Sequence, residues 1–139
     1  MRITSEIEKR IDEMAAEMKG DSKRPYKREI FNFVQDSSPM APSNKEPWLQ
    51  ALRSGEYTKH RRQLASIDND SKRCCLGVAY GVCSLPFLNR SKGTLRTQEA
   101  GDLESGFMGL DIYTQEALAS LNDGYFTHSQ IADLIEEFL

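Results

Sequence analysis

The chain has 139 residues, a length typical of a single domain. Its 39% hydrophobic and 28% charged residues are typical of globular proteins and exclude the disordered, collagen-like and disulfide-dense classes. No apolar run approaches the roughly 18 residues that a membrane span requires, and residues 1–14 lack the apolar core of a secretory signal.

Charge is distributed unevenly along the chain, although the formal net charge is only −3. All 18 Lys and Arg residues lie within residues 1–97, whereas residues 98–139 contain nine acidic residues and no Lys or Arg. We therefore expect an acidic surface from the C-terminal third, which would steer charged partners. The overall acidity argues against general nucleic-acid binding, because nucleic-acid-binding domains are usually strongly basic.

The N-terminal segment, residues 1–20, has the pattern of an amphipathic helix. Its apolar residues recur at spacings of three and four positions: Ile3, Ile7, Ile11, Met14 and Met18. Ser5 and Glu8 match a capping box, and Gly20 suits the position that follows a helix end. Because such a helix on a flexible linker often docks on another subunit, residues 3–18 are a candidate contact for a homo-oligomer.

Residues 21–46 are predicted to form a variable segment that ends in a Pro-rich linker. Residues 25–34 are apolar towards their end, but the segment is too short to distinguish a helix from a strand. Residues 36–47 contain three prolines, three serines and an asparagine, which is typical of a loop. We therefore expect the compact domain to comprise residues 47–139.

The central part of the chain is predicted to form a helix, a strand and a second, buried helix. Pro47 suits the first position of a helix that ends at Gly55. Residues 56–67 lack helical periodicity and contain Tyr, Thr and Ile, which favours a strand, and residues 68–70 favour a turn. The sequence CCLGVAYGVCSL (residues 74–85) is apolar almost all round, as in a buried helix.

The C-terminal end is predicted to form a helical hairpin after a loop over residues 86–110. Thr114 is placed to cap a short helix, and Asn122-Asp123-Gly124 is expected to form the turn. Thr127 and Gln130 match a capping box for the final helix. The buried face of that helix is expected to contain Ile131, Leu134, Ile135 and Phe138. The predicted fold class is α+β: mainly helical, with a small antiparallel sheet and a C-terminal helical hairpin.

The cysteines predict neither disulfides nor a metal site. Their odd number and the adjacency of Cys74 and Cys75 make a poor disulfide framework, so reduced thiols in a cytosolic protein are expected. A zinc site would need four ligands, which could only come from Cys74, Cys75, Cys83, His60 and His128. Adjacent cysteines on a helix point about 100° apart and rarely bind one ion. We therefore predict no metal and no cofactor.

A thiolate nucleophile is the enzymatic alternative. Cys74 or Cys75 would begin a helix directly after Lys72 and Arg73, and a helix start with nearby cations lowers the pKa of a thiol. His60 could then act as the base. No third residue that would orient this base stands at a recognisable spacing, so we favour structural cysteines and predict no catalytic residue.

A basic cluster on both sides of the predicted turn is the main candidate for ligand binding. Its members are Lys59, His60, Arg61 and Arg62 on the predicted strand and Lys72 and Arg73 after the turn. Arginine forks suit phosphate oxygens, and Tyr57 and Trp48 could stack on a base. The alternative is a solvated hairpin whose charges pair with the acidic C-terminal third.

Two stretches of the chain resemble a group of small, uncharacterised phage and prophage proteins. They are PWLQALRSGEYTKHRRQLASIDNDSKRCCLGVAYGVC and LASLNDGYFTHSQIADLIEEFL. The matching positions are Trp48, residues 51–55, Tyr57, residues 74–78, residues 121–123 and residues 131–136. Members of the group usually have a Gln-Gly pair after the Tyr, where this chain has Thr58, Lys59 and His60. The resemblance implies a phage or prophage gene expressed in the host bacterial cytoplasm, and it carries no established activity.

The first functional hypothesis is therefore a non-enzymatic accessory protein that counters a host defence. It would sequester a small anionic, nucleotide-like ligand at the basic cluster, with cations that neutralise phosphate and Tyr57 or Trp48 stacking on a ring. The second hypothesis is a protein–protein inhibitor that docks its acidic surface on a basic host factor. The third is the thiol-dependent enzyme.

Overall fold

Helices dominate the part of the chain that the structure, a computed structural model, describes. The described residues are 3–18, 26–40, 42–59, 65–66, 72–82, 94–95, 110–124 and 126–139. They contain the helices α1 (Ser5–Glu17), α2 (Tyr26–Asp36), α3 (Pro42–Arg53), α4 (Cys75–Val82), α5 (Ile112–Asp123) and α6 (His128–Phe138). The strands are β1 (Thr58–Lys59), β2 (Ala65–Ser66), β3 (Lys72–Arg73) and β4 (Thr94–Leu95). The prediction of a mainly helical protein with a small sheet is confirmed.

The four strands form one mixed sheet in the order β1-β3-β2-β4. β1 runs parallel to β3, whereas β2 runs antiparallel to both β3 and β4. The predicted antiparallel sheet is therefore wrong for the β1–β3 pair. The single strand predicted over residues 56–67 is also wrong, because β1 and β2 run in opposite directions on the two sides of β3. β4 lies within residues 86–110, which were predicted to be a loop, and the predicted turn at 68–70 lies outside the described residues.

The N-terminal helix α1 packs on α2 and is part of the same core as the rest of the chain. Thr4, not Ser5, is its N-cap, since the Thr4 side chain accepts a hydrogen bond from the Ile7 N–H. Ile11, Met14 and Met18 are buried in the core. This burial argues against the predicted homo-oligomer contact through residues 3–18, because the apolar stripe already packs within its own chain.

The segment around residues 25–47 is more helical than its composition indicates. Residues 26–36 form α2, which resolves the choice between helix and strand in favour of the helix. The predicted linker is wrong over residues 42–46, because α3 begins at Pro42 and Pro47 lies inside this helix. Pro42 fits this start because it occupies the first helical position, where a missing N–H costs nothing. α3 ends at Arg53, and Gly55 follows with a φ of 80°, a conformation that favours glycine.

The predicted buried helix is confirmed as α4, and a side chain of α5 accepts a hydrogen bond from its first residue. The backbone N–H of Cys75 donates to Asn122 Oδ1 at 3.0 Å, so a side chain of α5 satisfies one of the first N–H groups of α4. The predicted cap of α5 at Thr114 is wrong. Asp111 is the N-cap, and buried Thr114 instead accepts a hydrogen bond from the Ser38 N–H at 2.8 Å.

The final helix α6 forms as its sequence indicates. Thr127 and Gln130 make both hydrogen bonds of the capping box. All four residues predicted for its apolar face are buried: Ile131, Leu134, Ile135 and Phe138. α6 packs mainly on α3, and α5 packs mainly on α2, so the helical hairpin of α5 and α6 stays a prediction.

Candidate functional site: a cavity at the N-terminal end of α6

A cavity of about 450 Å³ opens where the end of α3, the bend before β1 and the start of α6 meet. We call it the α6 cavity. Its polar lining comes from Arg53, Tyr57, Lys59, Thr127, His128 and Ser129. Among the described residues, no carboxylate belongs to this lining, although the chain carries more acidic than basic residues. The α6 cavity is therefore electropositive and has the chemistry of an anion site.

The start of α6 contributes backbone N–H groups to the α6 cavity. The capping box satisfies the N–H groups of Thr127 and Gln130. The N–H groups of His128 and Ser129 lie in the first turn of α6, where backbone N–H groups have no acceptor within the helix. Unpaired N–H groups and the helix dipole together favour an anion at a helix N-terminus.

Lys59 on β1 fixes a positive charge at the edge of the α6 cavity. Its Nζ donates to the backbone oxygens of Gly124 and Phe126, at 2.9 Å and 2.7 Å. These two carbonyls hold the ammonium group between the end of α5 and the start of α6. Arg53 also lines the α6 cavity, but its guanidinium pairs with Asp133 and Glu136 at 2.7 Å and 3.0 Å. Lys59 is therefore the main cation of this lining.

Tyr57 places an aromatic ring in the lining of the α6 cavity. The guanidinium carbon of Arg73 on β3 lies 5.4 Å from the centre of this ring, within cation–π range. Arg73 also donates to the backbone oxygen of Gly77 at 3.1 Å. The contact holds Tyr57 and Arg73 against each other at the parallel β1–β3 edge of the sheet.

His128 is the least expected member of the lining. It is only 7% exposed, and both ring nitrogens are buried near the backbones of Tyr57 and Arg73. Burial lowers the pKa of His128 and nearby Lys59 adds to this effect, while the backbones of Tyr57 and Arg73 oppose it. The sequence offered one signal for this burial, because His128 stands three and seven positions before Ile131 and Ile135 on the apolar face.

The residues predicted for ligand binding are separated by the fold. Tyr57 and Lys59 line the α6 cavity, and Arg73 contacts Tyr57. Lys72 is exposed on β3 and does not belong to this lining. Three more, His60, Arg61 and Arg62, lie outside the described residues.

Trp48, which was predicted to stack on a ligand, lies in the core. Its side chain is fully buried, and the indole N–H donates to the backbone oxygen of Cys75 at 3.0 Å. This bond ties α3 to the start of α4. Neither face of the indole is therefore open to a ligand.

The cysteines Cys74 and Cys75 are buried and have the properties of structural thiols. Burial raises the pKa of Cys74 to about 11 and raises that of Cys75 well above its usual range. The Cys74 sulfur accepts a hydrogen bond from the Gly77 N–H at 3.4 Å, as an N-cap side chain does. Both thiols are therefore protonated near neutral pH, which opposes the nucleophile hypothesis.

A second depression, the α1–α6 groove, carries acidic side chains. It has a volume of about 290 Å³ and includes Glu17, Asp133, Glu136 and Glu137. Arg10 pairs with Glu137 at 2.8 Å, and Arg53 binds the other two acids of α6. Arginines on α1 and α3 therefore neutralise most of the charge that α6 brings to this groove.

Two further kinds of site were sought in the described residues. No group of three or more His, Cys, Asp or Glu side chains is placed there to hold a metal ion. Among the described helices, none combines the length and apolar character needed to cross a membrane.

Comparison with known proteins yields one family match. The model of a family described as "Domain of unknown function (DUF8296)" matches residues 40–92. This stretch includes α3, the first three strands and α4, and thus Tyr57 and Lys59, but not the α6 side of the α6 cavity. No curated protein and no solved structure matches the chain.

Proposed function

We propose that the protein binds and sequesters a small anionic, nucleotide-like ligand in the α6 cavity. The chain would be a non-enzymatic phage-type accessory protein that acts against a host defence in the bacterial cytoplasm. This setting derives from the resemblance of residues 47–139 to small phage proteins. The single observation that carries the binding proposal is the electropositive lining of a cavity in an acidic protein.

The charge of this lining supports an anion over a neutral or cationic ligand. Lys59 is held in place by two carbonyl groups, so little conformational entropy is lost when its charge meets a ligand. The N–H groups of His128 and Ser129 add donors that suit phosphate oxygens. Backbone donors and one cation favour a ligand with one or two negative charges.

The aromatic component of the proposal depends on Tyr57. A tyrosine ring beside a fixed cation suits a ligand that combines a planar ring with an anionic group, as nucleotides do. Contact with Arg73 limits the motion of the ring and preorganises it for stacking. Together, Tyr57 and Lys59 favour a nucleotide-like ligand over a bare inorganic anion.

A thermal-shift assay with small nucleotides tests the proposal. The probes are the four ribonucleoside 5′-monophosphates and their 3′,5′-cyclic forms, with the neutral nucleosides and inorganic phosphate as references. We expect at least one nucleotide to raise the melting temperature more than its nucleoside or inorganic phosphate does. The Lys59→Gln variant is expected to lose most of this shift.

Lys72→Gln is the matched control, because it removes the same charge from an exposed position outside the α6 cavity. It is expected to keep the full nucleotide-induced shift. Equal losses in both variants would show that only overall charge matters and would contradict a site in the α6 cavity. No shift with any nucleotide at millimolar concentration would also contradict the proposal.

The protein–protein inhibitor remains an alternative with less support. Its acidic surface would have to come from the C-terminal third, yet Asp133, Glu136 and Glu137 are already paired with arginines of the same chain. The role predicted for Arg61 and Arg62 also stays a prediction. Replacement of both by Glu would abolish the nucleotide shift only if those residues also contact the ligand.

A further inference from the structure

Arg53 connects the α6 cavity with the α1–α6 groove. Its side chain lines the α6 cavity at the end of α3. Its guanidinium pairs with Asp133 at 2.7 Å and with Glu136 at 3.0 Å, and both of these carboxylates line the α1–α6 groove. The same side chain therefore belongs to the wall of the candidate anion site and to two ion pairs outside that site.

The two ion pairs of Arg53 are weak because their members are exposed. The exposed fraction of the side chain is 36% for Arg53, 50% for Asp133 and 58% for Glu136. Exposed pairs are screened by water and salt and contribute little to stability. Lys59, by contrast, is held by part-buried hydrogen bonds to backbone oxygens. A ligand in the α6 cavity therefore competes more easily for the guanidinium of Arg53 than for the ammonium group of Lys59.

The spacing of residues along α6 places Arg53 within reach of the α6 cavity. Ser129, Asp133 and Glu136 are exposed and stand at spacings of four and seven positions, so they share one face of α6. Ser129 lines the α6 cavity, and Asp133 follows one turn later, about 6 Å along the helix axis. A guanidinium bound to Asp133 thus lies about one helical turn from the lining, a distance that a rotamer change of a long, exposed side chain covers.

We propose that Arg53 is a second anion contact of the α6 cavity and that it moves from Asp133 and Glu136 to the second anionic group of a ligand. This inference rests on the proposed function and specifies its ligand class. A nucleotide-like molecule with two anionic groups, such as a nucleoside diphosphate, binds more tightly than one with a single group. Lys59 meets the first group, and the guanidinium of Arg53 donates two parallel N–H groups to the oxygens of the second.

The test compares the affinities of the 5′-mono- and 5′-diphosphates of the four ribonucleosides, measured by isothermal titration calorimetry without divalent cations. We expect a diphosphate to bind about tenfold more tightly than the monophosphate of the same base, because a bidentate phosphate contact outweighs two exposed ion pairs. Arg53→Gln is expected to lower this ratio to about twofold, which is the residue of screened attraction to Lys59. The affinity for the monophosphate should change little.

Arg10→Gln is the matched control. Arg10 also pairs with an acid of α6, since it lies 2.8 Å from Glu137, but it lines the α1–α6 groove and not the α6 cavity. The variant loses the same charge and is expected to keep the tenfold ratio. Equal reductions of the ratio in Arg10→Gln and Arg53→Gln would show that only overall charge matters and would overturn the inference.

A complementary variant removes the competing acids and keeps Arg53. Asp133→Asn combined with Glu136→Gln releases the guanidinium, so we expect a further rise in the affinity for the diphosphate relative to the monophosphate. The same two changes in the Arg53→Gln background should leave the ratio unaltered. A ratio that rises equally in both backgrounds would contradict the inference, because loss of negative charge alone would then explain it. This variant provides the test even if Arg53→Gln does not fold.

The remaining outcomes separate this inference from the proposed function. If mono- and diphosphates bind the wild type equally well, or if Arg53→Gln retains the preference for the diphosphate, the α6 cavity binds nucleotides but the role of Arg53 is wrong. If no mono- or diphosphate binds at millimolar concentration, both the inference and the proposed function are wrong.

Discussion

Lys59 illustrates how one side chain contributes both to the fold and to the candidate site. Its ammonium group donates to Gly124 and Phe126, which belong to the short connection between α5 and α6. The same charge lies at the edge of the α6 cavity. The sequence shows Lys59 only as one of several cations. It does not show the two hydrogen bonds, because the backbone oxygens that accept them lie 65 and 67 positions further along the chain.

Replacement of Lys59 by Met is expected to destabilise the protein by about 1.5–3 kcal/mol, because two backbone acceptors lose a charged donor. Urea denaturation at pH 7 measures this change. Lys72→Met is the control, since exposed Lys72 should contribute within about 0.5 kcal/mol. A loss for Lys59→Met no larger than that of the control would show that the two hydrogen bonds do not stabilise the fold.

His128 is expected to make stability depend on pH. Because its pKa is lowered in the folded protein, the unfolded chain takes up a proton first as the pH falls below about 6.5. The stabilising contribution is therefore complete above that pH and is lost as the pH falls through the folded pKa. Urea denaturation at pH 7.5, 6.5 and 5.5 should show a smaller decline for His128→Gln than for the wild type. His60→Gln provides the comparison, and an unchanged decline in His128→Gln would contradict the buried neutral ring.

The ligand-binding residues named from the sequence stay a prediction, but the structure shows where several of them lie. Tyr57 and Lys59 were identified as ligand-binding candidates and do line a cavity. Trp48 was assigned to the same surface because it stands nearby in sequence, yet its indole is buried and bonded to α4. Exposure of an aromatic residue depends on packing between distant segments, which sequence proximity does not report.

At the scale of elements, helix caps show how local signals compete. Thr4 and Ser5 are both good N-caps by residue type, and the choice depends on which side chain accepts the first backbone N–H. In the structure Thr4 accepts from Ile7. The same competition placed the cap of α5 at Asp111, although Thr114 has a suitable side chain.

The two cap candidates of α1 give a direct comparison. Thr4→Ala is expected to destabilise the protein by about 0.5–2 kcal/mol because the cap is lost, whereas Ser5→Ala should cost less than about 0.5 kcal/mol. Thermal or urea unfolding of the two variants measures both values. A larger loss of stability for Ser5→Ala than for Thr4→Ala would show that Ser5 is the N-cap, as the sequence pattern predicts.

Other elements were harder to predict because their pattern is weak or interrupted. The proline-rich stretch before Trp48 has loop composition, but Pro42 fits a helix start, and α3 continues through Pro47 although a proline inside a helix removes one backbone hydrogen bond. The strands contain two residues each, so a period-two pattern has no room to appear. The capping box of α6, by contrast, is a complete local signal, and it was predicted correctly.

At the scale of the whole molecule, one core includes residues from all six described helices. They include Ile11, Phe33, Trp48, Leu76, Leu118 and Ile131. The N-terminal 46 residues therefore contribute to the same core as the predicted compact domain. Sequence periodicity gave the apolar face of α1 but not its partner, because an amphipathic stripe has the same pattern whether it packs within its own chain or on another.

A fragment of residues 47–139 is accordingly expected not to fold cooperatively. It would lack α1 and α2, and with them the buried residues Ile30, Phe33 and Val34 of α2, a helix that packs on α5. Circular dichroism during heating of the fragment and the intact chain provides the comparison. A cooperative transition of the fragment near that of the full protein would show that α1 and α2 are an accessory unit.

The distribution of charge also acquires a structural explanation at this scale. Arginines from the first half of the chain, Arg10 and Arg53, pair with acids of α6 from the second half. Such exposed pairs contribute about 0–1 kcal/mol each, so their main effect is on surface potential. They reduce the acidic character of α6 along its length and leave the electropositive α6 cavity at its N-terminal end.

The central claim is that this end of α6 binds the anionic group of a nucleotide-like ligand. Titration of the ¹⁵N-labelled protein with adenosine 5′-monophosphate, followed through the backbone amide signals, tests this claim most directly. The account predicts saturable shifts at Tyr57, His128 and Ser129, and none from adenosine at the same concentration. Shifts confined to the α1–α6 groove, or equal shifts from adenosine, would contradict it.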